Sequence, residues 1–455
     1  MRVDALVFLN ERLYAELKNG GQELQQLCDA AALPGVFSPV LGMPDIHAGF
    51  GLPIGGVLAM RVEDGVVSSG AVGMDINCGV RLLSTNLSCD ALDKPTIRAL
   101  MDAVEKRVPT GVGRKSRHNH LGREALPEVL VDGALALVKR GYGKIDDLEC
   151  TEEGGRFEGA DPAAVTPYAL QRAVQLSTLG GGNHFLEFGT VDEVLDSDTA
   201  VAFGLQKGMF TVMIHTGSRG LGHQICTDYT EIMRKAAKRY GINLPSAGLA
   251  SCPINSAEGR NYLAAMACAV NFAFANRQLI THDIREAFID IFRSSVELKV
   301  VYDVAHNIAK FEEHFGQKLL VHRKGATRAL PPKHPQNSKQ FEKTGHPAII
   351  PGSMNSPSYI LTGRDAVRET FCSVNHGAGR VMSRSYARKN ISAEAFLSSI
   401  GEVMLSTRNV RQLLDEAPSA YKNISEVVAT LSEIGLTNIV ASLKPLAVIK
   451  GESDE

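Results

Sequence analysis

Thirteen histidines stand in the 455-residue chain, and several occupy frames suited to chemistry. FTVMIH (210–215), VELKVVYDVAH (296–306) and FCSVNH (371–376) each run as a β-rich segment into a histidine beside a glycine-rich loop. Strand ends are where a rigid scaffold presents side chains to ligands. PDIHAGFG and GGGNHFLEFG place further histidines among glycines. Imidazole is the commonest protein metal ligand and can act as a nucleophile. GMDINCG (73–79) adds Asp75 and Cys78, three residues apart in a glycine-flanked turn, so a carboxylate and a thiolate can reach one point. With His184, His215 and His306 they form a mixed O/S/N set for a metal. A thiolate can bridge two cations; ligand softness favours zinc, whereas carboxylate and phosphate oxygens favour manganese.

The chain has no GxxxxGK[ST] phosphate loop and no KxDG, the motif of lysine-dependent polynucleotide ligases. A bound nucleotide must then be cradled by backbone N–H groups of glycine turns such as PGSMNSPS (351–358) and HGAGR (376–380). Two stretches lack acids. Residues 314–341 hold six Lys/Arg, and residues 371–393 hold Arg380, Arg384, Arg388 and Lys389. Either reads as a solvated basic face, but the second opens on a glycine-flanked histidine, which favours phosphate binding. If a helix starts there, a spacing of four aligns Arg380 and Arg384 on one face.

The elements that must position these groups follow from pattern. Segment 57–83 reads as short strands and turns, Pro95 to about Val108 as a helix, and 223–240, 259–291 and 393–406 as further helices. Residues 111–161 are charged, glycine-rich and loop-like. Nine of the 38 residues from Gly42 to Gly79 are glycine, which indicates tight turns or close approach to a ligand. Lys+Arg total 48 against 50 Asp+Glu, a net charge of −2, which excludes coating nucleic acid by bulk charge but allows a local basic groove. Hydrophobic residues make up 44% and charged residues 22%, a globular composition, and the length allows about two to three domains. The most apolar run, 263–275, falls short of the ~20 residues of a membrane span. The first residues do not form a signal peptide. Eight cysteines without a CxxC pair argue against a disulfide framework or zinc ribbon and for a reducing cytoplasm.

GMPDIHAGFGLPIGG (42–56), GAVGMDINCGVRL (70–82), GGGNHFLEFG (180–189), IHTGSRGLGH (214–223), HRKGATRALPP (322–332), IIPGSMNSPSYIL (349–361) and HGAGRVMSRS (376–385) together resemble the RtcB family of RNA-splicing ligases. The motifs run in family order from about residue 40 to Lys450. The resemblance implies an α+β fold, a single large catalytic domain over 1–455 with mixed β-sheets and a variable, loop-rich insertion at about 111–161. It replaces the count of two to three domains. It also implies two manganese ions, one on Asp75, Cys78 and His184 and one on Cys78, His215 and His306, with Cys78 bridging. His376 matches the histidine that becomes guanylylated by GTP. Asn183, Phe185, Leu186, Glu187, Asn307, Pro351, Gly352, Ser353, Met354, Ser358, Gly377, Ala378, Gly379 and Lys450 match nucleotide-binding positions. Arg219, Arg380 and Arg384 match arginines that grip phosphates. The sequence departs from the family pattern at Ala48, Asn355 and Asn375, and Asn355 bears on the nucleotide loop.

Similar ligases join an RNA 3′-phosphate or 2′,3′-cyclic phosphate to a 5′-hydroxyl in tRNA splicing or RNA repair, through a histidine–GMP intermediate and a GMP-capped 3′ end. With the cysteine and hydropathy readings, the expectation is a cytoplasmic monomer with no membrane, and the sequence leaves open whether an activating partner such as archease is needed. Two rivals stand beside it. One is a dinuclear metal phosphoesterase that hydrolyses RNA termini without ligation. The other is a non-catalytic RNA-binding paralogue, against which the intact metal and histidine set argues.

Overall fold

The β-rich runs that end in histidines are neighbouring strands of one sheet. A computed structural model describes residues 1–17, 21–111, 113–118, 120–293, 296–407 and 409–451. Its larger sheet orders Ala348–Ile350, Ser358–Gly363, Thr437–Lys450, Phe185–Val194, Met209–Thr216, Gly79–Ser88 and Leu298–Ala305, all antiparallel neighbours, with Met404–Leu405 added in parallel on Thr437–Lys450. The register decides what meets at its edge. His215 lies opposite both Phe185 and Val80, Gly79 lies opposite Ala305, and Lys450 opposite Phe185. Cys78, His184, His215, His306 and Lys450 therefore converge at one end of the sheet, although up to 372 positions separate them in the chain.

The second sheet has the order Ala5–Val7, Val36–His47, Ile54–Arg61, Gln317–Lys324 and Asn307–His314. His306 is the single residue between Leu298–Ala305 of the first sheet and Asn307–His314 of the second, so it sits where the sheets meet. A two-stranded ladder of Ala326–Arg328 with Ser373–Asn375 brings His376 to the same junction. The fold is α+β with mixed sheets, as the sequence implies.

One helix, Ala257–Phe292, backs the site, and the Ser256 hydroxyl caps it by accepting from the Gly259 N–H (3.0 Å). By length and composition it is apolar enough to cross a membrane, yet 89% of its most apolar window is buried inside the protein. A helix apolar all round is a core helix when other elements cover it. Its polar residues Asn271, Asn276, Arg277, Gln278 and Asp283 are buried too, and they tie loops to the helix rather than face water.

Most of the expected elements form. Strands Ile54–Arg61, Val66–Ser68 and Gly79–Ser88 occupy the 57–83 region, and the helix foreseen from Pro95 is Lys94–Glu105, capped by Asp93. The helix foreseen at 393–406 stops at Ile400, where Gly401 takes φ 61°, and residues 404–405 join the sheet instead. Within 111–161, read as loop-like, short helices form at Leu121–Glu124, Leu126–Asp132, Ala134–Val138 and Ile145–Glu149, and the last three bury apolar side chains. The acid-free 314–341 stretch is a solvated face only in part, with Lys318, Lys333 and Lys339 exposed. Arg323, Lys324 and Arg328 are buried, and Arg323 forks onto Glu312 at 2.7 and 2.8 Å, an acid just outside the stretch.

Candidate active site

Cys78 lies at the centre of the converging strand ends. Its Sγ is 3.4 Å from His184 Nε2 and 3.3 Å from His215 Nε2, and His215 Nε2 is 3.3 Å from His306 Nε2. His184 Nε2 is 2.6 Å from Asp75 Oδ2. Two donor sets result, Asp75–Cys78–His184 and Cys78–His215–His306, each with its ligand atoms within 4.8 Å of one another. They share Cys78 and match the two sets the resemblance implies. So many lone pairs turned onto one another fit cations, because without one the groups are mutually unfavourable. Burial and the Asp75 carboxylate push the Cys78 thiol well up, and burial pushes His215 and His306 well down. A bound cation reverses that preference for the thiol and takes the neutral imidazoles as they are. Burial opposes ionisation of Asp75 as well, but His184 and Arg219 outweigh it and hold the carboxyl at about 2.

His376 stands beside this centre, its ring 5.0 Å from that of His306. Asp45, fully buried, receives three hydrogen bonds on Oδ2: from His376 Nδ1 at 2.6 Å, from the His376 N–H at 2.9 Å and from the Gly377 N–H at 3.2 Å. Burial works against the Asp45 charge, yet His376 more than offsets it and lowers the carboxyl below its usual range. With Nδ1 engaged, Nε2 is the ring nitrogen left for chemistry. Gly379 (φ 74°) packs its Cα against the Asp45 carbonyl, where any Cβ would collide.

A cavity of about 320 Å³ opens from these groups. Asn183, Phe185, Glu187 and Asn307 line it, together with the turns Pro351 to Met354 and Gly377 to Gly379. Among the described residues no basic group pairs with Glu187, and burial pushes its carboxyl up to about 8. Asn307 also serves the metal set, since its Nδ2 donates to the Asp75 carbonyl (3.1 Å). Two of the matched positions do not line the cavity. Leu186 points into the core on the opposite face of its strand, and Ser358 Oγ accepts from the Gly352 N–H (3.1 Å), shaping the loop from behind. Asn355 anchors that loop by donating to the Ser399 carbonyl at 2.8 Å, and the buried Asn375 donates to the Gly377 carbonyl at 3.4 Å.

The arginines differ from the sequence reading in their partners. Arg380 and Arg384 line the cavity, but acids distant in sequence meet them. Arg380 is 3.2 Å from Glu416, and Arg384 is 2.8 Å from Asp415 and 2.5 Å from Glu416. The helix begins at Arg384, with Ser383 as its cap, so Arg380 precedes it and the two do not share a helix face. Lys450 completes the group, 3.0 Å from Glu416 and 5.7 Å above the Phe185 ring. Burial disfavours the Glu416 charge, and Lys450, Arg384 and Arg380 together still bring it to about 2. Arg219 is 9% exposed and stands outside the lining; its Nη1 is 3.1 Å from His184 Nδ1. Gly180, at φ 98°, is required beneath it, because a Cβ there would strike the guanidinium.

A family model described as tRNA-splicing ligase RtcB matches residues 26–451. The chain belongs to the RtcB family. It is 46% identical to a tRNA-splicing ligase RtcB of Thermococcus kodakarensis, over 99% of this chain and 95% of that protein. A relative of the same name from Archaeoglobus fulgidus gives the same identity and coverage, and an RNA-splicing ligase RtcB of Mycobacterium tuberculosis is 46% identical over 94% of this chain and its own full length. Against this RtcB framework, sequence reasoning missed Asp45, Lys324 and Glu416. Asp45 sits one residue before the strand-end pair Ile46–His47, in the PDIH frame. Lys324 lines the cavity from the HRKG frame, with burial bringing its amine down to about 8. Both lay within quoted motifs, whereas Glu416 lies in no motif and carried no signal.

Proposed function

We propose that this RtcB-family chain is an RNA ligase that joins a 3′-phosphate or 2′,3′-cyclic phosphate end to a 5′-hydroxyl end, with GTP and two manganese ions. The observation that carries the reading is the Asp45–His376 pair beside the shared-cysteine donor sets. A 3′-phosphate is a poor electrophile and needs activation. His376 Nε2 attacks the α-phosphorus of GTP, the bond to pyrophosphate breaks, and GMP is left on the ring. Asp45 holds the Nδ1 proton and balances the positive charge that develops on the imidazole. The GMP passes to the RNA 3′-phosphate. The 5′-hydroxyl oxygen then attacks that phosphorus and GMP leaves. Asp75, Cys78, His184, His215 and His306 would hold the cations, which neutralise phosphate charge and, for a cyclic end, activate water. Phe185 and Glu187 would face the guanine, and the 351–354 and 377–379 turns would take the phosphates. Arg384, 38% exposed at its side chain, would meet RNA phosphate, whereas Arg219 would act through His184. Eight unpaired cysteines, six of them buried, support a reducing compartment such as the cytoplasm.

The phosphoesterase reading differs at one residue, since hydrolysis needs no guanylylated histidine. Incubation with labelled GTP and manganese, followed by mass mapping, should place GMP on His376. His376→Ala should lose the adduct and keep both metals. An adduct formed at normal yield by that variant refutes the nucleophile assignment, and RNA-end hydrolysis without any adduct in the parent favours the phosphoesterase.

A further inference from the structure

Arg277, in the middle of the helix Ala257–Phe292, is fully buried and makes no contact with the cavity, yet each of its five N–H donors is engaged. Nε meets the Asp303 carboxylate at 3.0 and 2.9 Å, and Nη2 is 2.8 Å from Asp303 Oδ1 and 3.1 Å from Asn77 Oδ1. Nη1 donates to the Asn77 carbonyl and to the Thr216 carbonyl, both at 2.9 Å. Asn77 immediately precedes Cys78, Thr216 immediately follows His215, and Asp303 lies three residues before His306, on the strand that leads into it. One planar guanidinium therefore joins the three chain segments that carry Cys78, His215 and His306, and it touches neither Asp75 nor His184.

The turn it grips needs holding. Asn77 has φ 52°, a conformation L residues seldom adopt, and it also donates from Nδ2 to the Val270 carbonyl at 2.8 Å. The backbone around it is tied to the His306 strand, with the His306 N–H donating to the Cys78 carbonyl at 2.9 Å and the Asn77 N–H to the Asn307 carbonyl at 2.7 Å. Metal sites depend on such supporting bonds, because a ligand displaced by a few tenths of an ångström loses affinity. We propose that Arg277 is a positioning residue that fixes the spacing of Cys78, His215 and His306 and so sets the affinity of the metal position they form, leaving the Asp75–Cys78–His184 position largely independent. This rests on the two-metal reading above.

Arg277→Lys is the test. Lysine keeps the positive charge but is a point donor that cannot span three segments. Asp303 is not left alone in the variant, because Arg81 Nε is 2.7 Å away from it. Manganese binding to the metal-free chain would be followed by titration, and electron paramagnetic resonance would distinguish coupled from isolated ions. The parent should take up two equivalents and show the coupled signal. Arg277→Lys should bind the first equivalent within threefold of the parent, bind the second at least tenfold more weakly, and show an isolated-ion signal. Asn77→Gly, which keeps the positive φ and the backbone carbonyl that Arg277 grips but removes the side-chain bonds to Arg277 and to the Val270 carbonyl, should weaken the second equivalent to a smaller extent, and it decides the matter if Arg277→Lys does not fold. Undiminished second-equivalent affinity, or a parallel weakening of both equivalents that tracks lost thermal stability, overturns the positioning role. A parent that takes up no second equivalent overturns the two-metal reading and this inference with it.

Discussion

Asp45→Asn should slow guanylylation of His376 by about tenfold, and Asp45→Ala by about a thousandfold, with manganese uptake unchanged in both. The difference follows from the three donors on Asp45 Oδ2, at 2.6, 2.9 and 3.2 Å. Two of them are backbone N–H groups and cannot turn away, so asparagine must place its oxygen where Oδ2 was. The ring tautomer is then kept and only the charge is lost. A hydrogen bond to a charged group contributes about 1.5–3 kcal/mol and a neutral one about 0.5–1.5, so the loss is about 1.4 kcal/mol, or tenfold in rate. Alanine removes the whole charged bond, about 1.5–3 kcal/mol, and frees the ring to turn and to change tautomer, so the loss of rate approaches about a thousandfold; the two buried N–H groups left without an acceptor cost stability rather than rate. The asparagine variant carries a stability cost as well. Asp45 Oδ1 is buried with no hydrogen-bond partner among the described residues, and an amide NH₂ in that place stays unsatisfied at about 1–3 kcal/mol. Single-turnover formation of the GMP adduct, quenched in alkali because a phosphoramidate is acid-labile, would be timed below the melting temperature of each variant. A full rate in Asp45→Asn, or an equal loss in the two variants accompanied by loss of metal, would refute the reasoning.

Cys78→Ser should lower affinity at both manganese positions by tenfold or more, because a hydroxyl cannot replace a bridging thiolate, whereas Cys28→Ser should change little; full occupancy in Cys78→Ser would remove the bridge. Glu187 has its folded carboxyl raised from an ordinary 4.5 to about 8, so the folded chain holds a proton the unfolded chain has released. Its contribution to stability is therefore complete below pH 4.5 and declines as pH rises through 8. Glu187→Gln should flatten that decline in melting curves of the nucleotide-free protein, and an unchanged slope would show that another group is responsible. If Glu187 accepts from guanine as a carboxylate, GTP binding at pH 7 should release up to one proton, detectable by calorimetry in buffers of different ionisation enthalpy. Arg384→Ala should weaken binding of all RNA ends alike and reduce the salt slope by about one; an unaltered slope would leave Arg384 as only the partner of Asp415 and Glu416.

Much of the chemistry was legible in the chain because it resides in short, rigid motifs. Asp75 and Cys78 share one turn, and each histidine of the donor sets adjoins or ends a β-rich run, so residue type and local pattern were enough to nominate them. Strand ends and helix cores follow from periodicity over a few residues, which is why Lys94–Glu105 and Ala257–Phe292 lie where expected. Pairing is another matter. Asp45 meets His376 across 331 positions, and Arg384 meets Glu416 across 32, and no local pattern encodes which acid reaches which base. The stretch 371–393 looked free of partners only because its partners lie outside it. Likewise Arg277 sits in an apolar helix where sequence alone shows a lone charge, and its role depends on the sheet register that brings residues 77, 216 and 303 within reach of one guanidinium. Local sequence chose the reactive groups; long-range register, set by burial of the sheets against that helix, decided their distances and their charge partners.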